Sequence, residues 1–365
     1  MSFRATYPYD LPLLPPPNLE YNSTIHYWLL QARTELAELK GYSISLPNPM
    51  LLLSPAIIKE AVASSEIENI NTTIERVLQQ QLFPETEQKI ENKEVIRYKE
   101  AIIQGFTKME TLSLGNRLIK QIHKALLDER SYGYRKLQNH IENSSTKKII
   151  YTPPSADKID SLISNWESYV HDEDDPTDPL IKCIISHYQF EAIHPFNDGN
   201  GRTGRILMVL YLIYSNLLHY PILYISGYIN RNRAEYYRLL QNVTETQDWL
   251  PYIEYMLKAF CWQASETKNQ LFSLMALFQK TKTAIKSTCK NVYNSDLVEF
   301  LFSSPIITPV RLANLMDIHY TTATRYLKEL HRNKFLEHKK VGKYQLYMNL
   351  ELIKLLNESN EPEGK

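Results

Sequence analysis

A mainly α fold, with a short β-hairpin flap and a C-terminal winged helix-turn-helix domain, is predicted by three features of this chain. Apolar residues recur at helical spacing over most of its length. Glycine is scarce, ten in 365 residues, and Gly199, Gly201, Gly204 and Gly227 lie in or near one segment. Residues 291–365 read as three short helices followed by two β segments around Gly342.

The elements follow in order. Ile25, Trp28, Leu29, Ala32, Leu36 and Leu39 mark a helix over 20–41. Ser54-Pro55 reads as an N-cap with proline at the first helical position, opening a helix to about Glu68. Thr72-Thr73-Ile74-Glu75 reads as a capping box for the next helix. Two more helices are expected over 92–109 and 115–127. Tyr132-Gly133-Tyr134 is turn-like, and Ile149-Ile150-Tyr151-Thr152 is β-prone until Pro153-Pro154 stops it. The segment between them predicts a hairpin flap with Asn143-Ser144-Ser145 at its tip. Helices are expected again over 156–170 and 180–192, separated by the acidic loop His171 to Pro179. A long helix ends near Lys290. The domain division expected from this order is 1–110, 111–265, a linking helix at 266–290, and 291–365.

Hydrophobic residues make up 43% and charged residues 22%, enough apolar surface for a core without disulfides or metals. The net charge is zero, so any nucleic-acid or membrane partner must find a local patch. Cys183, Cys261 and Cys289 are odd in number and widely spaced, which predicts reduced thiols and a cytoplasmic location. The proline- and tyrosine-rich stretch Met1 to Asn18 has no apolar h-region, so no signal peptide is expected. The run Ile206 to Leu218 is too short to span a bilayer and reads as a buried helix; no membrane partner is expected.

The chemistry is concentrated in residues 194–205, HPFNDGNGRTGR. Gly199-Asn200-Gly201 allows backbone N–H groups to converge on an anion. The apolar run from Ile206 makes the following segment a buried helix, so this nest sits at a helix N-terminus, which favours phosphate. Arg202 and Arg205 share one face of the first turn and can grip phosphate oxygens. Asp198 is placed to hold Mg²⁺ against the phosphates. His194 is suited to take a proton from an attacking hydroxyl. Base, metal ligand, nest and two cations suffice for nucleotidyl or phosphoryl transfer from ATP. No G-x-x-x-x-G-K-[ST] occurs, which excludes a P-loop.

This segment resembles the Fic family signature H-x-F-x-[DE]-G-N-G-R-x-x-R and fits it at every position. The resemblance extends from about residue 20 to about 260 and implies a Fic-type helical core. It implies protein AMPylation: AMP passes from ATP to a Tyr, Thr or Ser hydroxyl of a target protein, and pyrophosphate is released. His194 would be the base and Asp198 the Mg²⁺ ligand. Gly199, Asn200 and Gly201 would form the nest, and Arg202 and Arg205 would bind the distal phosphates. Thr203 and Gly204 complete the ATP-binding stretch, and Phe196 would anchor the loop from behind. A relative that phosphorylates its target has lysine where this chain has Gly201, so Gly201 implies the AMP-transferring orientation. The family's flap docks a target segment by β-augmentation, which maps onto Lys148, Ile149, Ile150 and Tyr151.

Two further segments carry the resemblance. Ser64, Glu68 and Asn69 fill the inhibitory pattern [ST]-x-x-x-E-[GN]. It implies that Glu68 engages Arg205, leaves ATP unproductively posed, and so autoinhibits the chain. Tyr236-Tyr237 and the residues to Thr244 occupy the place of part of the adenine pocket, with Thr244 where an asparagine is common.

Between 308 and 347 there are eight basic and three acidic residues, an excess of five positive charges in a neutral chain. Tyr320 to Arg325 would open a recognition helix, and Lys339, Lys340 and Lys343 flank the wing. A DNA-binding regulator is therefore one alternative reading, and the family resemblance implies a Doc-like protein kinase as another. Beyond ATP and a target protein, DNA and a second copy of the chain stay open as partners.

Overall fold

A computed structural model describes residues 3–17, 19–46, 48–127, 133–143 and 146–358, without the side chains of 50–52. Tyr132, Ser144 and Ser145 of the expected turn and flap tip lie outside the described residues. In chain order the helices begin with α1 Ser23–Ile44, α2 Pro49–Ile67, α3 Ile74–Gln80, α4 Ile90–Lys108 and α5 Asn116–Leu127. The flap strands β1 Ile141–Glu142 and β2 Ile149–Tyr151 follow. Next come α6 Ile159–His171, α7 Pro179–Ile193, α8 Asn200–Tyr214, α9 Ile225–Arg231, α10 Arg233–Thr246 and α11 Leu250–Thr288. The chain then runs α12 Ser295–Ser303, β3 Ile306–Ile307, α13 Pro309–Met316, α14 Tyr320–Arg332, β4 Glu337–Val341, β5 Tyr344–Met348 and α15 Leu350–Asn357. The fold is mainly α with two small antiparallel sheets, as the spacing predicts.

Contacts group the chain into two compact units that do not follow sequence order. The first comprises residues 1–37, 97–221 and 225–263. Its centre is α5, α6, α7 and α8, with α7 packed along α8 and α6 along α7. From Leu180 to Ile193 only Glu191 on α7 is not buried, and nearly all of α8 is buried to Leu212. The expected apolar run to Leu218 is therefore a core helix that stops at the Ser215 cap. No helix among the described residues is long and apolar enough to cross a membrane.

The second unit comprises residues 38–96, 222–224 and 264–365. It contains α12, α13 and α14 with a three-stranded antiparallel sheet of order β3-β5-β4, in which Glu337 pairs with Met348 and Val341 with Tyr344. Helix α2 belongs here and packs chiefly on α12, with α15 and α3 beside it. Lys59 on α2 is buried. Its ammonium lies 3.4 Å from Glu266 Oε1, donates to the Glu358 carbonyl at 3.2 Å, and sits 4.8 Å from the Tyr224 ring centroid. The wing tip is held too: Glu87 accepts from Lys343 Nζ at 2.8 Å and Tyr344 Oη at 3.0 Å, and Phe83 stacks on Tyr344.

Two cap assignments are corrected. Helix α2 opens at Asn48-Pro49, six residues before the expected Ser54-Pro55, and Pro55 lies inside it. Both dipeptides carry the same signal, but Pro49 takes the first-turn position, where no N–H is needed. Pro55 costs an interior hydrogen bond that burial of Leu53, Ile57, Ile58, Ala61 and Ile67 offsets. The cap of α3 is Thr73, whose side chain accepts from the Arg76 N–H. Its N3 residue is therefore Arg76, and the reciprocal glutamate of a capping box is missing. Thr72 bonds Asn92 instead.

Candidate active site

The site is the loop between α7 and α8. His194 caps α7 in the left-handed region (φ 49, ψ 58), and its N–H donates to the Phe190 carbonyl at 3.1 Å. A residue with a Cβ holds that conformation at a cost of about 1–2 kcal/mol, so neighbours must fix it. Gly199 is the N-cap of α8 at φ 75. The positive φ favours glycine there, and a Cβ would also meet Leu127 Cδ1 at 2.9 Å, so that side chain would have to shift.

The loop's carbonyls are taken up from behind. Arg135 Nε donates to the His194 carbonyl at 3.0 Å, and the Arg135 N–H to the Pro195 carbonyl at 2.9 Å. Asn200 closes a reciprocal pair on Phe196: Nδ2 donates to its carbonyl at 2.9 Å and Oδ1 accepts its N–H at 2.8 Å. His123 Nε2 donates to the Asp198 carbonyl at 3.0 Å, and its ring stacks on Phe196 at 3.5 Å between centroids. The Thr203 N–H takes the Gly199 carbonyl at 2.9 Å. With these oxygens turned inward, the first amides of α8 carry the positive end of a fifteen-residue helix. Asn200 thus has two parts: its amide stands in the nest position, and its side chain locks the loop.

Arg202 and Arg205 are buried, at 3% and 1% exposure, which makes each an ordered cation rather than a solvated surface charge. Arg202 Nη2 lies 3.6 Å from Asp198 Oδ2, while Asp198 Oδ1 accepts the Gly199 N–H at 2.6 Å. The Asp198 carboxylate is otherwise open to solvent at 76% exposure. Among the described residues no group of three or more His, Cys, Asp or Glu could hold a metal. A divalent cation at Asp198 would therefore complete its shell with phosphate oxygens and water, as Mg²⁺ does. Gly204 lets α8 approach α7: a Cβ would stand 2.3 Å from Glu191 Oε1 and 3.1 Å from Phe190 Cδ1.

Tyr236 is fully buried, and its hydroxyl pairs with His187 Nε2 at 2.8 Å. Burial, and then the charge of Arg205, push the His187 imidazole down to about 3, so it is neutral at physiological pH. Thr244 is a core residue here. Its hydroxyl donates to the Leu240 carbonyl at 3.0 Å and accepts from Tyr188 Oη at 2.8 Å. The flap residues Lys148, Ile149, Ile150 and Tyr151 form or adjoin β2, which pairs with β1 through a bulge. Lys148 and Ile150 are exposed, and Tyr151 Oη donates to the Ala192 carbonyl at 2.6 Å.

Ser64, Glu68 and Asn69 lie on α2 and its C-terminal cap, in the second unit. Ser64 is buried. Glu68 is the C-cap and Asn69 follows at φ 63. The Ile70 N–H reaches the Ser65 carbonyl at 3.0 Å and the Asn69 N–H the Glu66 carbonyl at 2.9 Å, a Schellman closure. The Gly-or-Asn position of the inhibitory pattern thereby acquires a physical reason: it is the left-handed residue that ends the helix beside Glu68.

Sequence reasoning missed Arg135, His123 and His187. Only His187 carried a local signal, seven residues before His194 and so on the same face of α7.

A folded His187 that titrates near 3 and an unfolded one that titrates near 6.5 differ in bound protons between those values. The unfolded chain binds the proton first, so this contribution to stability is complete above about pH 6.5 and is lost as pH falls. The slope reaches about 1.4 kcal/mol per pH unit. Urea unfolding at pH 7.5 and pH 5 is expected to show the parent losing about 1–2 kcal/mol more than His187→Gln over that interval. Equal losses would contradict the assignment.

Three families match the chain in succession. Residues 28–107 match "Fic/DOC family N-terminal", 113–212 match "Fic/DOC family", and 277–352 match "Protein adenylyltransferase SoFic-like, C-terminal domain". A Caenorhabditis elegans sequence named "Protein adenylyltransferase fic-1" is 31% identical over 146 residues, 40% of this chain and 25% of that protein. An Aquifex aeolicus sequence named "Probable protein adenylyltransferase aq_aa38" is 28% identical over 305 residues, 81% of this chain and 86% of the relative. The chain spans about a quarter of the length of the nematode relatives it matches. Among solved structures, a Fic family protein from Desulfovibrio desulfuricans superposes with TM-score 0.57 at 19% identity, over 92% of this chain and 98% of that one. Fic-1 from C. elegans superposes with TM-score 0.51 at 19% identity, over 68% and 74%. With its loop geometry and helical core, this chain carries a Fic/DOC N-terminal domain, a Fic/DOC domain and a SoFic-like C-terminal domain in succession.

Proposed function

We propose that this chain transfers AMP from ATP to a hydroxyl side chain of a target protein and releases pyrophosphate. The observation that carries this reading is the α7–α8 loop, in which protein donors hold the carbonyls at the N-terminus of α8, beside two buried arginines of its first turns. The names of the relatives support it. The target oxygen bonds to the α-phosphorus, the bond from that phosphorus to the leaving pyrophosphate oxygen breaks, and the hydroxyl proton passes to His194. The amides of Gly199, Asn200 and Gly201 with Arg202 and Arg205 stabilise charge on the phosphates. Asp198 would hold Mg²⁺, which supplies charge neutralisation when bound. Lys148 to Tyr151 present a strand edge to the target, and Tyr236 backs the adenine side. Glu68 restrains the enzyme by competing for Arg205. The free thiols Cys183, Cys261 and Cys289 support a cytoplasmic setting.

The test is label incorporation from α-labelled ATP, into the chain itself or into added lysate protein. Glu68→Gly is expected to label at least about tenfold more than the parent, the size of an ordinary coupling energy. His194→Ala is expected to label nothing. Labelling from γ- but not α-labelled ATP would replace this reading with a kinase.

A second reading applies to the C-terminal module. Thr321, Arg325, Lys328 and Arg332 repeat along one exposed face of α14, a charge pattern suited to a polyanion. If this face binds duplex DNA, a low-salt gel shift will be lost on Arg325→Glu and retained in His194→Ala. No shift of the parent at low salt removes this reading.

A further inference from the structure

Arg135 holds both the catalytic loop and the two feet of the flap. Its side chain is buried, at 2% exposure. Nε reaches the His194 carbonyl at 3.0 Å, and the peptide N–H reaches that of Pro195 at 2.9 Å. On the other side Nη1 donates to the Leu137 carbonyl at 3.2 Å and Nη2 to that of Pro154. Leu137 precedes β1 and Pro154 follows β2, so one guanidinium fork spans the entrance and exit of the hairpin.

Neighbouring bonds run in the same direction. Gln138 Nε2 joins the feet through the Pro153 carbonyl at 2.9 Å, and Asn139 Nδ2 reaches the Phe196 carbonyl at 3.4 Å. Only a planar fork with fixed donor directions can meet three carbonyls from three segments at once. An ammonium is a point donor on a flexible stem and cannot hold the same set.

We propose that Arg135 is a positioning residue that couples target docking on the flap to the placement of His194. It acts on the base through the carbonyls of His194 and Pro195, which fix the two peptides that follow the left-handed His194 and so aim its imidazole. It acts on the target through the flap, whose feet it holds in register with that loop. The assignment rests on the AMP-transfer reading for its catalytic half. Its structural half stands on the hydrogen bonds alone. Arg135 touches neither nucleotide nor target, so its loss misplaces the base without emptying the phosphate site.

The experiment uses the full chain with Arg135→Lys and Arg135→Gln, each alone and combined with Glu68→Gly. Hydrogen–deuterium exchange is followed at 137–154 and 194–199, and AMP transfer from α-labelled ATP is followed against ATP concentration. Exchange is expected to rise about tenfold or more in both segments together, while the interior of α7 and α8 stays protected. Rate at saturating ATP is expected to fall about a hundredfold, the usual effect of displacing a reacting group by about an ångström. The ATP concentration at half-rate should stay within about twofold.

Exchange that rises in only one segment overturns the coupling. A rise throughout α5–α8 makes Arg135 an ordinary core residue and also overturns it. An unchanged rate, or a rate and half-saturation that worsen in parallel, overturns the positioning of the base. If Glu68→Gly with Arg135 intact transfers no AMP, the proposed function fails and positioning of a base fails with it. The exchange result still decides the mechanical coupling separately.

Discussion

The site depends on where the carbonyls of residues 194–199 go. A tight loop into a helix brings oxygens and amides to the same small volume, and an anion site needs only the amides. Here Arg135, Asn200, His123 and Thr203 draw the oxygens back into the protein. The left-handed His194, the glycine at 199 and the stacked Phe196–His123 pair are consequences of that single requirement. Two buried arginines, Arg202 and Arg205, lie in the same first turns of α8, with the Asp198 carboxylate 3.6 Å from Arg202.

The same constraint explains the helices behind the loop. Helix α8 must lie close against α7 for the loop to be this short, and Gly204 opposite Glu191 and Phe190 makes the approach possible. A neutral His187 beside Arg205 avoids a second positive charge in a buried place, and Tyr236 supplies its hydrogen bond. His194 and residues 199–201 thus share one pair of helices, α7 and α8, and Tyr236 on α10 joins them through His187.

Much of this was legible in the sequence, for reasons that differ by residue. His194 to Arg205 are contiguous, so their meeting in one loop and the first turns of one helix could be read from spacing alone. The helices were visible as apolar periodicity, and the C-terminal sheet as a change in element order. Arg135 was invisible because its partners are backbone carbonyls, which leave no mark in a sequence, and most lie far from it along the chain. The opening of α2 was misread because Asn48-Pro49 and Ser54-Pro55 carry the same local signal, and packing on α12 decided between them. Asn69 could be matched to a pattern, but its left-handed turn became evident only from the bonds around it. The grouping of α2 with the C-terminal unit also depends on long-range packing, which no local pattern announces.

The central claim is that this loop passes AMP, rather than a terminal phosphate, to a protein hydroxyl. Mass spectrometry of proteins incubated with the Glu68→Gly chain and Mg·ATP tests it most directly. The account predicts peptides carrying one added AMP on a Tyr, Thr or Ser side chain, absent when His194 is also replaced by alanine. Peptides carrying a single added phosphate, or AMP that persists without His194, would contradict it.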